Sequence, residues 1–192
     1  MSIHGIWTKG SWQEKLDDCL KEAGLLSKPY KYGRKIHPWR INKEAKEFRD
    51  WYFSVVNNIN FKLDIDKPFH RPSIIAHSLG TWIIAKALKK YPEIKFDKIF
   101  LFGSIIPADF DWFEIIMNDQ VSSIIYDKAS KDKVVPLGFF TTGKLSPSCT
   151  KGFFQKSSFI KEEKLTLFGH SDFNYNAHFS SYIQKHLRET PR

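Results

Sequence analysis

Apolar positions along the chain fall into two alternating kinds of segment. Six short runs, Ser2–His4, Tyr30–Tyr32, Ser73–His77, Lys98–Gly103, Ser122–Asp127 and Lys164–Phe168, are rich in Ile, Phe, Tyr or Leu and end near Gly, Ser or Asp, so each reads as a β-strand. Between them lie longer segments with helical periodicity. Ser11–Ala23 stacks Trp12, Leu16 and Leu20 behind a Ser N-cap and stops before Gly24. Asn42–Ile59 places Ala45, Phe48, Tyr52 and Val55 on one face. Leu79–Tyr91 is apolar in its first turns and polar at Lys86, Lys89 and Lys90, and Asn176–Leu187 reads as a closing helix with an Asn cap. Strand–helix alternation predicts an α/β fold, a three-layer α/β/α sandwich around a mostly parallel sheet of about six strands. The unbroken apolar runs Ser-Ile-Ile-Ala and Lys-Ile-Phe-Leu-Phe-Gly suit strands buried on both faces. The segment Pro136–Ile160, with five Phe and three Gly, breaks the rhythm. It reads as a functional loop or as a Phe-rich flap that completes the core.

Composition narrows this picture. At 192 residues the expectation is one domain spanning 1–192. Aromatic residues at 16% exclude a disordered or low-complexity chain. No apolar run is long enough for a membrane span, and Met1-Ser2-Ile3-His4-Gly5 lacks the charged and apolar regions of a secretory leader. Cys19 and Cys149 form neither a zinc spacing nor a disulfide framework. The expectation is a soluble, cytoplasmic protein with no metal and no cofactor. The net charge of +9 concentrates in residues 28–49, where eight Lys and Arg (Lys28, Lys31, Arg34, Lys35, Arg40, Lys43, Lys46, Arg49) face Glu44 and Glu47. That stretch is either a solvated basic face or a surface for nucleic acid or anionic lipid. No helix-turn-helix, zinc-finger or RNA-recognition signature accompanies it, so no specific nucleic-acid partner is expected.

The chemistry concentrates at Ser73-Ile-Ile-Ala-His-Ser-Leu-Gly-Thr-Trp-Ile-Ile-Ala. A buried strand runs through Ala76-His77-Ser78-Leu79-Gly80 straight into a helix, which puts Ser78 at the apex of a sharp turn. Small residues are needed two before and two after the serine, because the turn brings backbones together. Gly80 meets that need, and Ala76 stands where Gly is usual. A serine that only caps the helix is the competing explanation. A second element is His4-Gly5-Ile6-Trp7, where a strand ending in His-Gly would present backbone amides to an oxyanion, with a plain turn glycine as the alternative. The amides of Ile6 and Leu79 are the candidate oxyanion donors, a kind of contact worth roughly 3–4 kcal/mol in a transition state. Gly138-Phe-Phe-Thr-Thr-Gly143-Lys144-Leu145 approaches a phosphate-binding loop but lacks the Ser or Thr after Lys.

From His4-Gly5 through Ala-His-Ser-Leu-Gly to Gly169-His170, the chain resembles a compact member of the α/β-hydrolase superfamily, of the serine esterase and lipase kind. The segment Leu101–Trp112 resembles the sixth-strand region of serine-esterase-like members. In the family order the first strand here would be the third of the full fold, with the two antiparallel edge strands missing and no separate cap domain. The resemblance implies a Ser-acid-His order. Asp132, in the turn past the fifth strand and followed by Val-Val-Pro, takes the acid position, with Asp127 as its rival. His170, after the last strand, takes the base position, with His178 as the alternative inside the closing helix. His37, His70 and His186 read as surface residues, and His77 as a structural neighbour of the nucleophile. The implied activity is hydrolysis of a small-molecule carboxylic ester or thioester through an acyl-enzyme on Ser78. Trp7, Phe110, Trp112, Phe139 and Phe140 would make the site apolar, and His4 and His77 join Trp7, Phe110 and Trp112 as substrate-lining candidates. Two other readings stay open: a catalytically inactive hydrolase fold serving as an interaction module, and a basic-surface binder of nucleic acid or anionic lipid. The oligomeric state is not readable from the sequence.

Overall fold

The computed structural model describes residues 1–5, 11–32, 40–63, 71–128, 148–164 and 177–188. Six strands form one sheet: β1 (Ser2–Ile3), β2 (Pro29–Tyr30), β3 (Ile74–His77), β4 (Phe96–Phe102), β5 (Val121–Lys128) and β6 (Ile160–Lys164). Their spatial order is β2-β1-β3-β4-β5-β6, and every pairing between them is parallel. The helices are α1 (Ser11–Glu22), α2 (Ile41–Leu63), α3 (Leu79–Lys90), α4 (Phe113–Met117), α5 (Ser148–Lys151) and α6 (Ala177–Arg188). The expected α/β sandwich is what the chain forms, and the sheet is wholly parallel.

Side-chain alternation along each strand divides the core into two layers. Ile3, Ile74, Ala76, Ile99, Leu101, Ile124 and Tyr126 face a large cluster with Phe48 and Tyr52 of α2, Ile83 and Ile84 of α3, and Ile115 of α4. Ile75, Phe100, Phe102 and Ile125 point the other way, onto Trp12, Leu16 and Leu20 of α1 and Ile183 of α6. Both faces are therefore covered, which is why β3 is apolar up to His77 and β4 is apolar from Ile99 to Phe102.

Three sequence expectations need correction. The sixth strand begins at Ile160, where the apolar run Lys164–Phe168 had suggested a later start; residues 165–170 lie outside the described set. Ile-Lys-Glu-Glu-Lys hides from pattern reading because an edge strand needs little burial, and Ile160 alone carries its apolar contact. His186 is buried, its ring edge-on to Tyr182 at 4.5 Å and tilted over Phe100 at 6.4 Å, because α6 turns that face onto β4. The 136–160 segment holds a short helix, α5, and its Phe residues divide. Phe153 is buried against Trp112 and Tyr126, whereas Phe154 is 67% exposed. Phe139 and Phe140, like His37 and His70, lie outside the described residues.

The basic stretch, where described, is largely neutralised in place. On α2, Lys43 pairs with Glu47 and Lys46 with Asp50, while Arg40 approaches Glu44 and Arg49 reaches Glu93. Such exposed pairs add little stability, but they are the arrangement of a solvated helix face. Among the described residues, no helix is long and apolar enough to cross a membrane.

Candidate active site

The strand order fixes where a ligand can sit. From β1 the chain passes through α1 to β2 on one side, then crosses through α2 to β3 on the other. Adjacent connections diverge between β1 and β3, and open α/β sheets bind ligands outside the carboxyl ends of strands at such a switch point. Gly5 follows β1 and Ser78 follows β3, so both flank that point.

Ser78 sits between the last residue of β3 and the first of α3 with φ 52° and ψ −122°. This is the first-position geometry of a type II′ turn, which glycine normally fills. A non-glycine residue there costs about 1–3 kcal/mol and persists only where surrounding structure enforces it. The enforcing contacts are visible. Ser78 N donates to Phe102 O at 3.0 Å. Ser78 O accepts from Thr81 N at 3.0 Å and from Thr81 Oγ1 at 2.6 Å. Thr81, fully buried, also accepts from Ile105 N at 3.3 Å, tying the turn to the segment after β4. The Ser78 side chain makes no capping bond to α3, which removes the helix-cap explanation of this serine. Leu79, one of the two proposed oxyanion donors, is the first residue of α3, where amides lack intrahelical partners and the helix dipole favours negative charge.

Two glycines allow the backbones to meet. A Cβ on Gly80 would lie 2.7 Å from His4 O and 3.0 Å from Ile3 O. Gly80 is thus required by the neighbouring strand β1, not by β3 from which its helix departs. A Cβ on Gly5 would lie 2.7 Å from Ser78 Cβ and 3.3 Å from Ser78 Oγ. Gly5 is absent from the residues of positive φ, so space beside Ser78, and not turn conformation, explains it. Ala76 is fully buried in the α2–α3 layer, where its methyl finds room. Gly5→Ala is therefore expected to displace Ser78 and to cost about a hundredfold in any Ser78-dependent turnover, the scale of a 1 Å misplacement. Wild-type turnover in that variant, measured at equal folded concentration, would contradict the packing.

The remaining candidates divide between the described and undescribed parts of the chain. Ile6, Trp7, Asp132 and His170 lie outside the described residues. His178 falls in the first turn of α6, as its sequence position suggested. Asp127, the rival acid, is buried at the end of β5, where its Oδ1 accepts from Gly103 N at 3.0 Å and ties β5 to the end of β4. His77 is buried with its ring edge-on to Trp12 at 6.3 Å, on the α1–α6 face. Trp112 is fully enclosed against Phe110 and Phe153, so it presents no surface to a ligand, and Phe110 packs into the same cluster against Trp82. Among the described residues, no group of three His, Cys, Asp or Glu side chains converges as metal ligands.

His4 is held by Tyr32, a contact with no sequence signal. The rings stack at 4.1 Å and 14°. Tyr32 Oη donates to His4 O at 2.6 Å, and His4 Nδ1 lies 2.7 Å from Gly5 O. Burial holds the His4 pKa below the ordinary histidine value, with Lys31 acting in the same direction and hydrogen bonds to Gly5 and Tyr32 opposing. Burial, with Glu44 nearby, pushes the Tyr32 phenol far up, so it stays a donor.

Solved structures share this architecture. An uncharacterized protein from Bacillus cereus ATCC 10987 matches 97% of the chain with a TM-score of 0.65 at 12% identity, and the chain spans 57% of that protein's length. A protein of unknown function from Agrobacterium tumefaciens, described as a candidate alpha/beta hydrolase, matches 97% of the chain and 83% of its own length, with a TM-score of 0.54 at 14% identity. The chain shares its fold with these structures, one of which is described as a candidate alpha/beta hydrolase. No protein-family model and no curated protein sequence matches the chain. The sequence singles out Ser78, Gly5 and Gly80, which the structure brings to one end of the sheet, but gives no notice of Thr81 and Tyr32 beside them. Thr81 could have been suspected from Ser-Leu-Gly-Thr, since a threonine three residues past a serine can bond back to its carbonyl.

Proposed function

We propose that the chain is a serine hydrolase that cleaves a carboxylic ester or thioester through an acyl-enzyme on Ser78. The observation that carries this reading is the strained Ser78 backbone, held at the switch point with Gly5 against its side chain, Gly80 clearing the backbone of β1, and no capping bond from its hydroxyl to α3. Strain of this kind gathers at functional sites. In the proposed reaction, His170 takes the Ser78 proton, Ser78 Oγ attacks the carbonyl carbon, and the amides of Ile6 and Leu79 receive the oxyanion. The protonated His170 then gives its proton to the leaving alcohol or thiol. Water, deprotonated in turn by His170, attacks the acyl carbon, and the acid leaves as the bond to Ser78 Oγ breaks and His170 returns its proton to that oxygen. Asp132 holds the imidazole in the required tautomer and stabilises its cation.

The test is labelling by a fluorophosphonate probe together with hydrolysis of a chain-length series of p-nitrophenyl esters. Ser78-dependent labelling and turnover support the reading, and their absence in the folded protein favours the inactive interaction module. The assignment of the base has its own outcome. His170→Ala is expected to cost as much activity as loss of Ser78, because triad members act as a unit, whereas His178→Ala costs far less. The reverse result moves the base to His178 and leaves the nucleophile in place.

A further inference from the structure

Among the described residues, Thr81, Ser104 and Ser148 are polar side chains with no exposed surface. Their hydroxyls lie along one path to Ser78. Ser148 Oγ on α5 donates to Ser104 Oγ at 2.8 Å, and Ser104 O accepts from Cys149 N at 3.2 Å. With Gly103 N bonded to Asp127 Oδ1, the segment after β4 is pinned on two sides. Ile105, the next residue of that segment, gives its N–H to Thr81 Oγ1 at 3.3 Å. Thr81 Oγ1 in turn gives its proton to Ser78 O at 2.6 Å. Threonine commonly bonds back to a carbonyl one turn earlier in a helix. Two features set this bond apart. The carbonyl belongs to the strained residue itself, and the same hydroxyl accepts a backbone N–H from outside the helix. Ser78 N is already held by Phe102 O, so a fixed Ser78 carbonyl clamps the residue at both of its planar peptide groups.

We propose that Thr81 is a positioning residue, whose hydroxyl locks the carbonyl side of Ser78, holds the strained turn in place and so fixes the direction in which Ser78 presents its Oγ. This assignment rests on the serine-hydrolase reading. Thr81 is fully enclosed, so it touches no substrate and exchanges no proton with one. It acts only through the backbone of the residue it holds. Without the hydroxyl, Ser78 O keeps its bond from Thr81 N, but the link to Ile105 is gone and ψ of Ser78 is free to drift from −122° toward an unstrained value. Valine at this position keeps the shape of threonine and removes the hydrogen bonds, and serine keeps the hydroxyl and removes the methyl.

Two measurements test this. The first does not depend on hydrolysis. Thermal melts compare Ser78→Gly with its parent in the wild-type and Thr81→Val backgrounds. Glycine relieves the strain that Thr81 enforces, so Ser78→Gly is expected to raise Tm in the wild-type background. Once Thr81 is valine the turn has already relaxed, and the rise is expected to be less than half as large. An equal rise in both backgrounds, or no rise in the first, overturns the proposal. The second measurement follows p-nitrophenyl butyrate turnover and the rate of fluorophosphonate labelling in wild type, Ser78→Ala, Thr81→Val, Thr81→Ala and Thr81→Ser at equal folded concentration. Thr81→Val and Thr81→Ala are expected to lower kcat and the labelling rate about tenfold, the worth of one hydrogen bond, with KM little changed. Thr81→Ser is expected to recover most of that loss. Where Thr81→Val does not accumulate, Thr81→Ala serves both measurements, since alanine leaves room for a water beside Ile105 N–H. Unchanged kcat and labelling in Thr81→Val and Thr81→Ala, a loss confined to KM, or a Thr81→Ser protein as slow as Thr81→Ala overturns the positioning role. If wild type neither turns over nor labels faster than Ser78→Ala, the hydrolase reading fails and the catalytic role with it, while the melts still report whether Thr81 holds the turn.

Discussion

Ser78→Ala is expected to remove ester hydrolysis down to the uncatalysed background while leaving Tm within a degree or two of wild type. Loss of a serine nucleophile costs on the order of 10⁶ in kcat, because the rest of the triad has nothing left to activate. Stability is untouched for a different reason. Alanine has a Cβ like serine, so it suffers the same strain at φ 52°, and the hydroxyl makes no capping bond whose loss would weaken α3. Ser78→Gly separates the two effects. It is equally inactive, but glycine adopts this backbone freely, so relief of about 1–3 kcal/mol of strain outweighs its extra unfolded-state entropy and Tm rises. Thermal melts of the three proteins beside p-nitrophenyl ester assays check both statements. Full activity in Ser78→Ala ends the hydrolase reading, and a lower Tm in Ser78→Gly contradicts the strain.

The second large effect is on folding. Gly80→Val is expected to lose about 3 kcal/mol or more, roughly 6–12 °C in Tm for a chain of this size, or to fail to accumulate as soluble protein. The added Cβ meets His4 O at 2.7 Å and Ile3 O at 3.0 Å. Both oxygens are backbone, and β1 is pinned between β2 and β3, so no side chain can swing aside. Gly80→Ala makes the sharper comparison. Inside a helix, alanine gains about 1 kcal/mol over glycine, so a net loss on Gly80→Ala shows the clash overcoming propensity. A Gly80→Val protein with wild-type Tm would mean that α3 does not approach β1 as described.

Much of the architecture is legible in the chain because buried parallel strands and amphipathic helices write themselves as apolar pattern. Ile74–His77 and Leu79–Lys90 are found almost to the residue, since both faces of β3 and the first turns of α3 are buried. Where burial is partial the pattern fades. β6 carries four charged residues in five and escaped notice, while the apolar residues after it drew the strand too late. Trp112 misled in the opposite way, for an aromatic residue in a loop looks like a binding surface until its neighbours Phe110 and Phe153 enclose it. At the site, Ser78 and Gly80 were legible because tight turns restrict residue size, and Gly5 because it follows His4 at the end of the first strand. The reason for Gly80 was not, since the backbone it must clear lies on a strand remote in sequence. Tyr32 was invisible for the same cause: its hold on His4 spans 28 positions and depends on β1 and β2 lying side by side.

The sheet's two outer strands bear on how this chain behaves at high concentration. β2 is only two residues long and opens with Pro29, which has no N–H to offer, and β6 is Ile-Lys-Glu-Glu-Lys. A short, proline-headed border and a densely charged one are both poor templates for another molecule's strand. Chains crowding together in refolding or storage would therefore find little purchase for growing a shared sheet edge to edge, and self-association, where it occurs, is directed to the helical faces.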